Sequence, residues 1–300
     1  MRQVKIGTTG PEVGALGYGC WRFLGHSLSQ AETLIETALD LGMSLIDTAD
    51  VYGYGGPGFG AAEALLGKVI AASPERRRRM VLATKGGIIP PEPYNSSRDY
   101  LVSACEASLD RLGVEQIDLY QIHRPDLLTP WEEVARALED LIEAGKIRQI
   151  GVSNFSPTQT RALQAHLAPR IVSTQPEFSA MHTAPMEDGT LDWCQEMNAA
   201  ATVWSPLAGG RLADGYVPGE GDPHTLLALH VELDRQAHQH GVSRSDIALA
   251  FVLKHPARPV ALLGTQTPER LTAAIRALEV NMSRRDWYAI LEASRGTPMP

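Results

Sequence analysis

The sequence predicts an α/β protein: one (β/α)8 TIM barrel with an N-terminal β-hairpin and an extra C-terminal helix, forming a single domain over residues 1–300. Three observations carry that expectation. Short apolar runs alternate with longer segments of helical period; eight such strand–helix units can be counted; and no linker or shift in composition divides them. Repeated βα units imply parallel strands joined by right-handed crossovers, and eight of them in about 250 to 300 residues match a closed barrel. An open, doubly wound sheet is the competing architecture, but no Gly-x-Gly-x-x-Gly follows the first strand as a Rossmann-type fold requires.

Residues 2–6 and 12–16, joined by Gly7–Pro11, read as the hairpin, placed to cap the amino-terminal end of the barrel. Residues 13–19 supply the first barrel strand and 43–49 the second, with a helix over 60–73 behind it. The third strand, 79–85, precedes a helix over 98–113 in which Leu101, Cys105, Ser108, Leu109 and Leu112 share a face. The fourth, 117–123, precedes 131–145, where Val134, Leu138, Leu141 and Ile142 form the apolar stripe and Gly145 the stop. The fifth, 147–153, leads to a helix opened by Ser156 as N-cap and Pro157 at the first helical position. Residues 170–178 and the helix 190–199 follow, then 201–206, a glycine-rich loop, and helical material from about Thr225 to Lys254. The last strand, 259–265, is trailed by 267–280 and a final helix over 284–294.

Composition narrows the function. A net charge of −8 and a pI near 5.6 argue against general affinity for nucleic acid, whose phosphates call for clustered Lys and Arg. The one basic cluster, Glu75–Met80, reads as a solvated helix end. Cys20, Cys105 and Cys194 are odd in number and widely spaced, so neither a disulfide framework nor a zinc site is indicated. With no signal-peptide pattern and no apolar run of about 20 residues, the expectation is a cytoplasmic protein without membrane or nucleic-acid partners, its oligomeric state open.

In such barrels the active site lies at the carboxyl ends of the strands. There the chain offers Asp47 and Tyr52, Lys85, Gln121 and His123, Ser153 and Asn154, Gln175, Trp204 and Ser205, then Gly264 and Thr265. Singly, each has an ordinary structural use; together, an acid, an ammonium, a phenol and an imidazole form a set for proton transfer. An ordinary phenol has a pKa near 10, and an ammonium about 4 Å away contributes about 4 kcal/mol at a dielectric near 20, enough to lower it by two to three units. Lys85 is the candidate ammonium, held charged by Asp47. His123 can orient a carbonyl oxygen, Trp204 offers a flat face, and Ser153, Asn154 and Gln175 offer partners for a carboxamide. A planar ring with a carboxamide beside a phenol suggests a nicotinamide delivering hydride to a carbonyl.

At this point the chain resembles a family, the aldo-keto reductases. Asp47–Gly53 (DTADVYG), Ala83–Gly87 (ATKGG), Gln121–Asp126 (QIHRPD), Gly151–Phe155 (GVSNF), Thr174–Ser179 (TQPEFS) and Trp204–Leu212 (WSPLAGGRL) are similar to its successive signatures, in order and spacing. Its bacterial oxidoreductases look nearest. The resemblance implies NADPH, with NADH as the alternative, bound in extended form, and Asp47, Tyr52, Lys85 and His123 as a catalytic tetrad with Tyr52 the general acid in reduction of a small carbonyl substrate. It implies that Ser153, Asn154 and Gln175 hold the nicotinamide, that Trp204 stacks on it, and that the loop with Ser205, Leu207, Gly209, Gly210, Arg211 and Leu212 meets the pyrophosphate. After the last strand the pattern departs: Gln266 stands where an arginine is common and Ala273-Ala274 where a Glu-Asn pair is expected, leaving Gly264, Thr265, Thr267 and Arg270 for the 2′-phosphate, with Thr267 capping the helix.

Trp21, Phe23 and Tyr94, in aromatic and proline-rich loops, are expected to wall a pocket for small apolar aldehydes or ketones, and the glycines after Tyr52 to leave its mouth open. Two alternatives remain: a cofactor-binding regulatory protein with negligible turnover, and a metal-dependent hydrolase using Asp47, His123 and Asp126. The latter lacks His-x-His or His-Glu-x-x-His spacing, so no metal is expected.

Overall fold

The computed structural model, which describes residues 1–300, begins with a hairpin of β1 (Gln3–Lys5) and β2 (Glu12–Gly14), antiparallel with Val4 opposite Val13. Eight parallel strands then close into a barrel in chain order: β3 (Leu16–Gly19), β4 (Leu45–Asp47), β5 (Val81–Gly86), β6 (Ile117–Ile122), β7 (Ile147–Ser153), β8 (Ile171–Gln175), β9 (Ala200–Val203) and β10 (Val260–Leu263), the last pairing with β3. Around it lie α1 (Leu28–Asp40), α2 (Ala61–Ala72), α3 (Pro74–Arg79), α4 (Arg98–Leu112), α5 (Trp131–Glu143), α6 (Pro157–Gln164), α7 (Thr190–Met197), α8 (Thr225–His240), α9 (Arg244–Leu253), α10 (Pro268–Ala274) and α11 (Arg284–Arg295). The predicted (β/α)8 barrel with its hairpin and final helix is the observed fold.

The hairpin closes the end of the barrel away from the strand carboxyl termini. Val4, Ile6 and Val13 are buried, and Gly7 lies so close to Val172, near the start of β8, that an added Cβ would stand 2.7 Å from that side chain. The apolar faces fall as their periods require: Leu101, Cys105, Ser108, Leu109 and Leu112 on α4 and Val134, Leu138 and Leu141 on α5 are buried. The capping box at α6 is complete, Ser156 and Gln159 exchanging side-chain and backbone hydrogen bonds. The final helix docks by stacking Trp287 on Phe251 of α9, ring centroids 4.8 Å apart, while its indole N–H donates to the Phe251 carbonyl at 3.0 Å.

Some expectations change. The strand 43–49 stops at Asp47, but the backbone stays tied to β5: the Thr48 N–H donates to Ala83 O and the Asp50 N–H to Lys85 O. That tether aims the following loop, with Tyr52, across the barrel mouth. The arginine cluster is not a solvated helix end. Arg76 of α3 pairs with Glu32 and Glu36, Arg79 with Glu36 and Asp40 on α1, and Arg77 with Asp118 of β6 at 2.8 Å, so α3 clamps its neighbours. Two strands, β4 and β9, are each trailed by two helices rather than one, and the two helices expected after the last strand follow β10. Cys20, Cys105 and Cys194 are buried and unpaired, and burial pushes the thiols of Cys105 and Cys194 up to about 12. No helix is long and apolar enough to cross a membrane.

Candidate active site

A cleft of about 990 Å³ opens at the carboxyl ends of the barrel strands. At its floor Asp47, ending β4, meets Lys85, on neighbouring β5, because parallel pairing sets Asp47 beside Ala83 and the longer β5 carries on past it. The Lys85 ammonium donates to Asp47 Oδ2 at 2.6 Å, to the Thr48 carbonyl at 2.8 Å and to the Tyr52 hydroxyl at 3.2 Å, and no part of Lys85 reaches solvent. All three ammonium protons are thereby used. Asp47 is equally well served, since its other oxygen accepts from Gln175 Nε2 at 2.9 Å and Gln121 Nε2 at 3.2 Å.

Burial alone would strip Lys85 of its proton; the field of Asp47, then that of Tyr52 and their hydrogen bonds, outweigh it and hold the ammonium above its ordinary pKa. For Tyr52 the balance falls the other way. Burial raises the phenol, Lys85 pulls it down, Asp47 pushes it back, and the net direction is up. The expectation that Lys85 brings the resting phenol toward neutral acidity is therefore overturned, because desolvation of a phenolate outweighs one nearby ammonium. What remains is a neutral phenol that keeps its proton, with a fixed positive charge behind the oxygen.

His123 follows β6 and sets its ring against Tyr52, centroids 5.8 Å apart. Burial, then the charges of Lys85 and Arg124, drives the imidazole well below its usual pKa, so it is neutral. Its main chain is fixed by donation from its N–H to Gly86 O and by Asn154 Nδ2 reaching its carbonyl at 3.2 Å. Asn154 occupies the left-handed region at φ 59° and accepts the Trp204 indole N–H at 3.1 Å, and Ser153 Oγ donates to Gln175 O at 3.0 Å. Ser153, Asn154, Gln175 and Trp204 thus line the cleft as a mutually bonded set.

Beyond Trp204 the chain turns through Ser205 (φ 51°), Ala208 (51°), Gly209 (69°) and Gly210 (106°). The N–H groups of Ala208, Gly210, Arg211 and Leu212 donate to carbonyls within the loop, which leaves those of Leu207 and Gly209 without a backbone partner and able to meet an anion. A Cβ on Gly209 or Gly210 would touch nothing within 4 Å, so the backbone is open at this wall of the cleft. Leu207, Gly264, Thr265, Thr267 and Arg270 complete the far end, and Arg270 has no carboxylate within 4 Å. This lining fits an extended dinucleotide.

Several expected site residues lie elsewhere. Phe23 is wholly buried, edge-on to Tyr18, because its loop turns it into the core. Tyr94 is partly exposed but off the cleft, and the prolines beside it do not line it either. Arg211 points away to pair with Asp222 at 2.9 Å, and Leu212 is core. Thr267 stands at the N-cap of α10 without capping it, its hydroxyl engaged with Thr265. Asp126, needed for the hydrolase alternative, accepts from Ser96 N, Leu128 N and Thr129 Oγ1 and so closes its own loop. Trp21 does border the mouth, its ring 4.9 Å edge-on from Tyr52.

Sequence reasoning missed Arg22, Arg124, Tyr216 and Arg276, all of which line the cleft. Arg124 was within reach of the strand-end rule that found its neighbour His123. Tyr216 comes from a connecting segment whose course nothing local dictates, and Arg276 lies in the helical turn Ile275–Leu278, where no local rule says which face meets the cleft.

With this geometry in hand, the comparisons with known proteins are specific. The family model described as "Aldo/keto reductase family" matches residues 15–295. A 6-dehydroglucose reductase of Novosphingobium aromaticivorans is 44% identical over 99% of this chain and 96% of its own, and one of Agrobacterium fabrum is 35% identical over 95% of each. The crystal structure of a thermostable aldo-keto reductase, Tm1743, solved with the inhibitor epalrestat, superimposes with a TM-score of 0.83 at 28% identity, covering 98% of this chain and all of the other.

Proposed function

The chain belongs to the aldo/keto reductase family of NAD(P)H-dependent oxidoreductases, and from that premise we propose that it reduces an aldehyde or ketone to the alcohol with NADPH, Tyr52 giving the proton. The observation that carries this reading is the Lys85 ammonium bridging Asp47 and the Tyr52 hydroxyl at the floor of the cleft.

NADPH, when bound, supplies the hydride that reaches the carbonyl carbon. Ser153, Asn154 and Gln175 would hold its carboxamide, Trp204 its ring, the Ser205–Gly210 loop its pyrophosphate and Arg270 its 2′-phosphate, the contact that favours it over NADH. Tyr52 reaches the carbonyl oxygen and passes its proton to it as the alkoxide develops. The charge then appears on the phenolate oxygen, 3.2 Å from the Lys85 ammonium, where a charge fixed in advance stabilises it without reorganisation. Asp47 keeps that ammonium charged. His123, neutral and unable to compete as an acid, donates a hydrogen bond to the same carbonyl oxygen and orients it. Trp21 and Trp204 shield the site from water.

Tyr52→Phe keeps the ring and removes the proton. We expect NADPH to quench the tryptophan fluorescence of this variant with an affinity near wild type, while carbonyl reduction followed through reduced-cofactor absorbance falls more than tenfold. A variant retaining a tenth or more of the wild-type rate overturns the assignment of Tyr52. Titration of both nucleotides should show NADPH bound more tightly than NADH, and Arg270→Met should narrow that gap.

A further inference from the structure

Four arginines line the cleft, and they are not equivalent. Arg276 is paired with Asp246 at 3.2 Å and Arg22 donates to the Gly209 carbonyl at 3.1 Å. Arg270 and Arg124 make neither an ion pair nor a side-chain hydrogen bond. Arg270 lies on α10 at the far end; Arg124 lies beside His123, close enough to lower the imidazole's basicity, and is half-buried. The only carboxylate lining this end, Asp47, is consumed by Lys85 and two glutamine amides. A chain of net charge −8 therefore leaves one unpaired guanidinium at the reacting end of its cleft.

A half-buried guanidinium without a protein partner keeps its five N–H donors for whatever enters the cleft. Two of the three apolar residues expected here are absent from the cleft, since Phe23 is in the core and Tyr94 is off the cleft. Trp21 remains, an aromatic face at the mouth beside Tyr52.

We infer that Arg124 is a specificity-determining residue that binds oxygen acceptors on the substrate, a few bonds from the reacting carbonyl, so that the preferred substrate is an oxygen-rich aldehyde, hydroxylated or anionic, rather than an alkyl or aryl one. This rests on the reductase reading. Arg124 donates to the non-reacting end of the substrate while Tyr52 and His123 hold the carbonyl, and an alkyl chain in the same place leaves the guanidinium unsatisfied, which is a penalty against it.

Three four-carbon aldehydes test this: butanal, erythrose and succinic semialdehyde, each assayed with NADPH in wild type, Arg124→Met and Arg124→Lys, with nucleotide quenching of tryptophan fluorescence as the control for folding. Wild type should favour erythrose or succinic semialdehyde over butanal at least tenfold in kcat/KM, and which one it favours separates a hydroxyl reader from an anion reader. In Arg124→Met that ratio should fall at least tenfold, chiefly through KM, and Arg124→Lys should restore part of it, more for the anionic substrate. A wild-type preference for butanal, an unchanged ratio in Arg124→Met, or an equal loss for all three aldehydes overturns the inference while leaving the reductase reading intact. Failure of the wild type to reduce any of the three overturns the inference, and failure on a wider panel of aldehydes and ketones as well overturns that reading with it.

Discussion

Lys85 is a lysine without solvent, and its charge survives because every donor it has is met. Replacing it by Met leaves the Asp47 carboxylate buried with only two amide donors, and breaking a buried pair this way costs about 3–5 kcal/mol; thermal unfolding of Lys85→Met should show a loss of that order, with carbonyl reduction lost as well. The phenol beside it is raised, not lowered, so difference absorbance at 295 nm between wild type and Tyr52→Phe, without nucleotide, should show no phenolate from Tyr52 below about pH 10. His123 shifts downward from its ordinary value of about 6.5. Between the lowered and the ordinary pKa the unfolded chain binds a proton that the folded chain refuses, so stability is lost as pH falls below about 6.5, at up to about 1.4 kcal/mol per unit. His123→Gln should flatten that part of the curve in urea unfolding; an unchanged slope would show that the imidazole charges freely in the fold.

At the scale of single elements, β7 carries a glycine whose replacement is instructive. A Cβ on Gly151 would stand 2.4 Å from Ser173 Oγ and 2.9 Å from Gln121 Cγ, inside the barrel. Gly151→Ala should therefore displace the glutamine that donates to Asp47, lowering both melting temperature and carbonyl reduction, while the same change at Gly113, whose Cβ direction is empty but whose φ is +66°, should cost about 1 kcal/mol of stability and no activity. Elements of this kind were largely legible in the sequence. Alternating apolar runs marked the barrel strands, and Ser156 and Pro157 announced α6, because period and capping are local properties of the chain. The α3 arginines were misread because their partners, Glu32, Glu36, Asp40 and Asp118, belong to other elements, and no local rule says which carboxylates will be near.

Across the whole molecule, binding should feed back on folding. A nucleotide at a hundredfold excess over its Kd stabilises the native state by about 2.7 kcal/mol, so NADPH should raise the melting temperature by a few degrees, and by less in Arg270→Met. The floor of the cleft was legible as a set of strand ends, since a parallel barrel must bring them together whatever its loops do. The walls were not, since Phe23 and Tyr94 depend on which way a loop folds back, and a loop's course is decided by neighbours distant in sequence. Arg124 shows the same limit from the other side: its position could be read, whereas its lack of a partner is a property of the assembled surroundings.

The hairpin of residues 3–14 seals the barrel where the strands begin, with Ile6 and Val13 wholly buried there. With the base covered and the interior packed, the cleft at the carboxyl ends is the only approach to Tyr52, so under the proposed function carbonyl, alcohol and nucleotide would share one entrance.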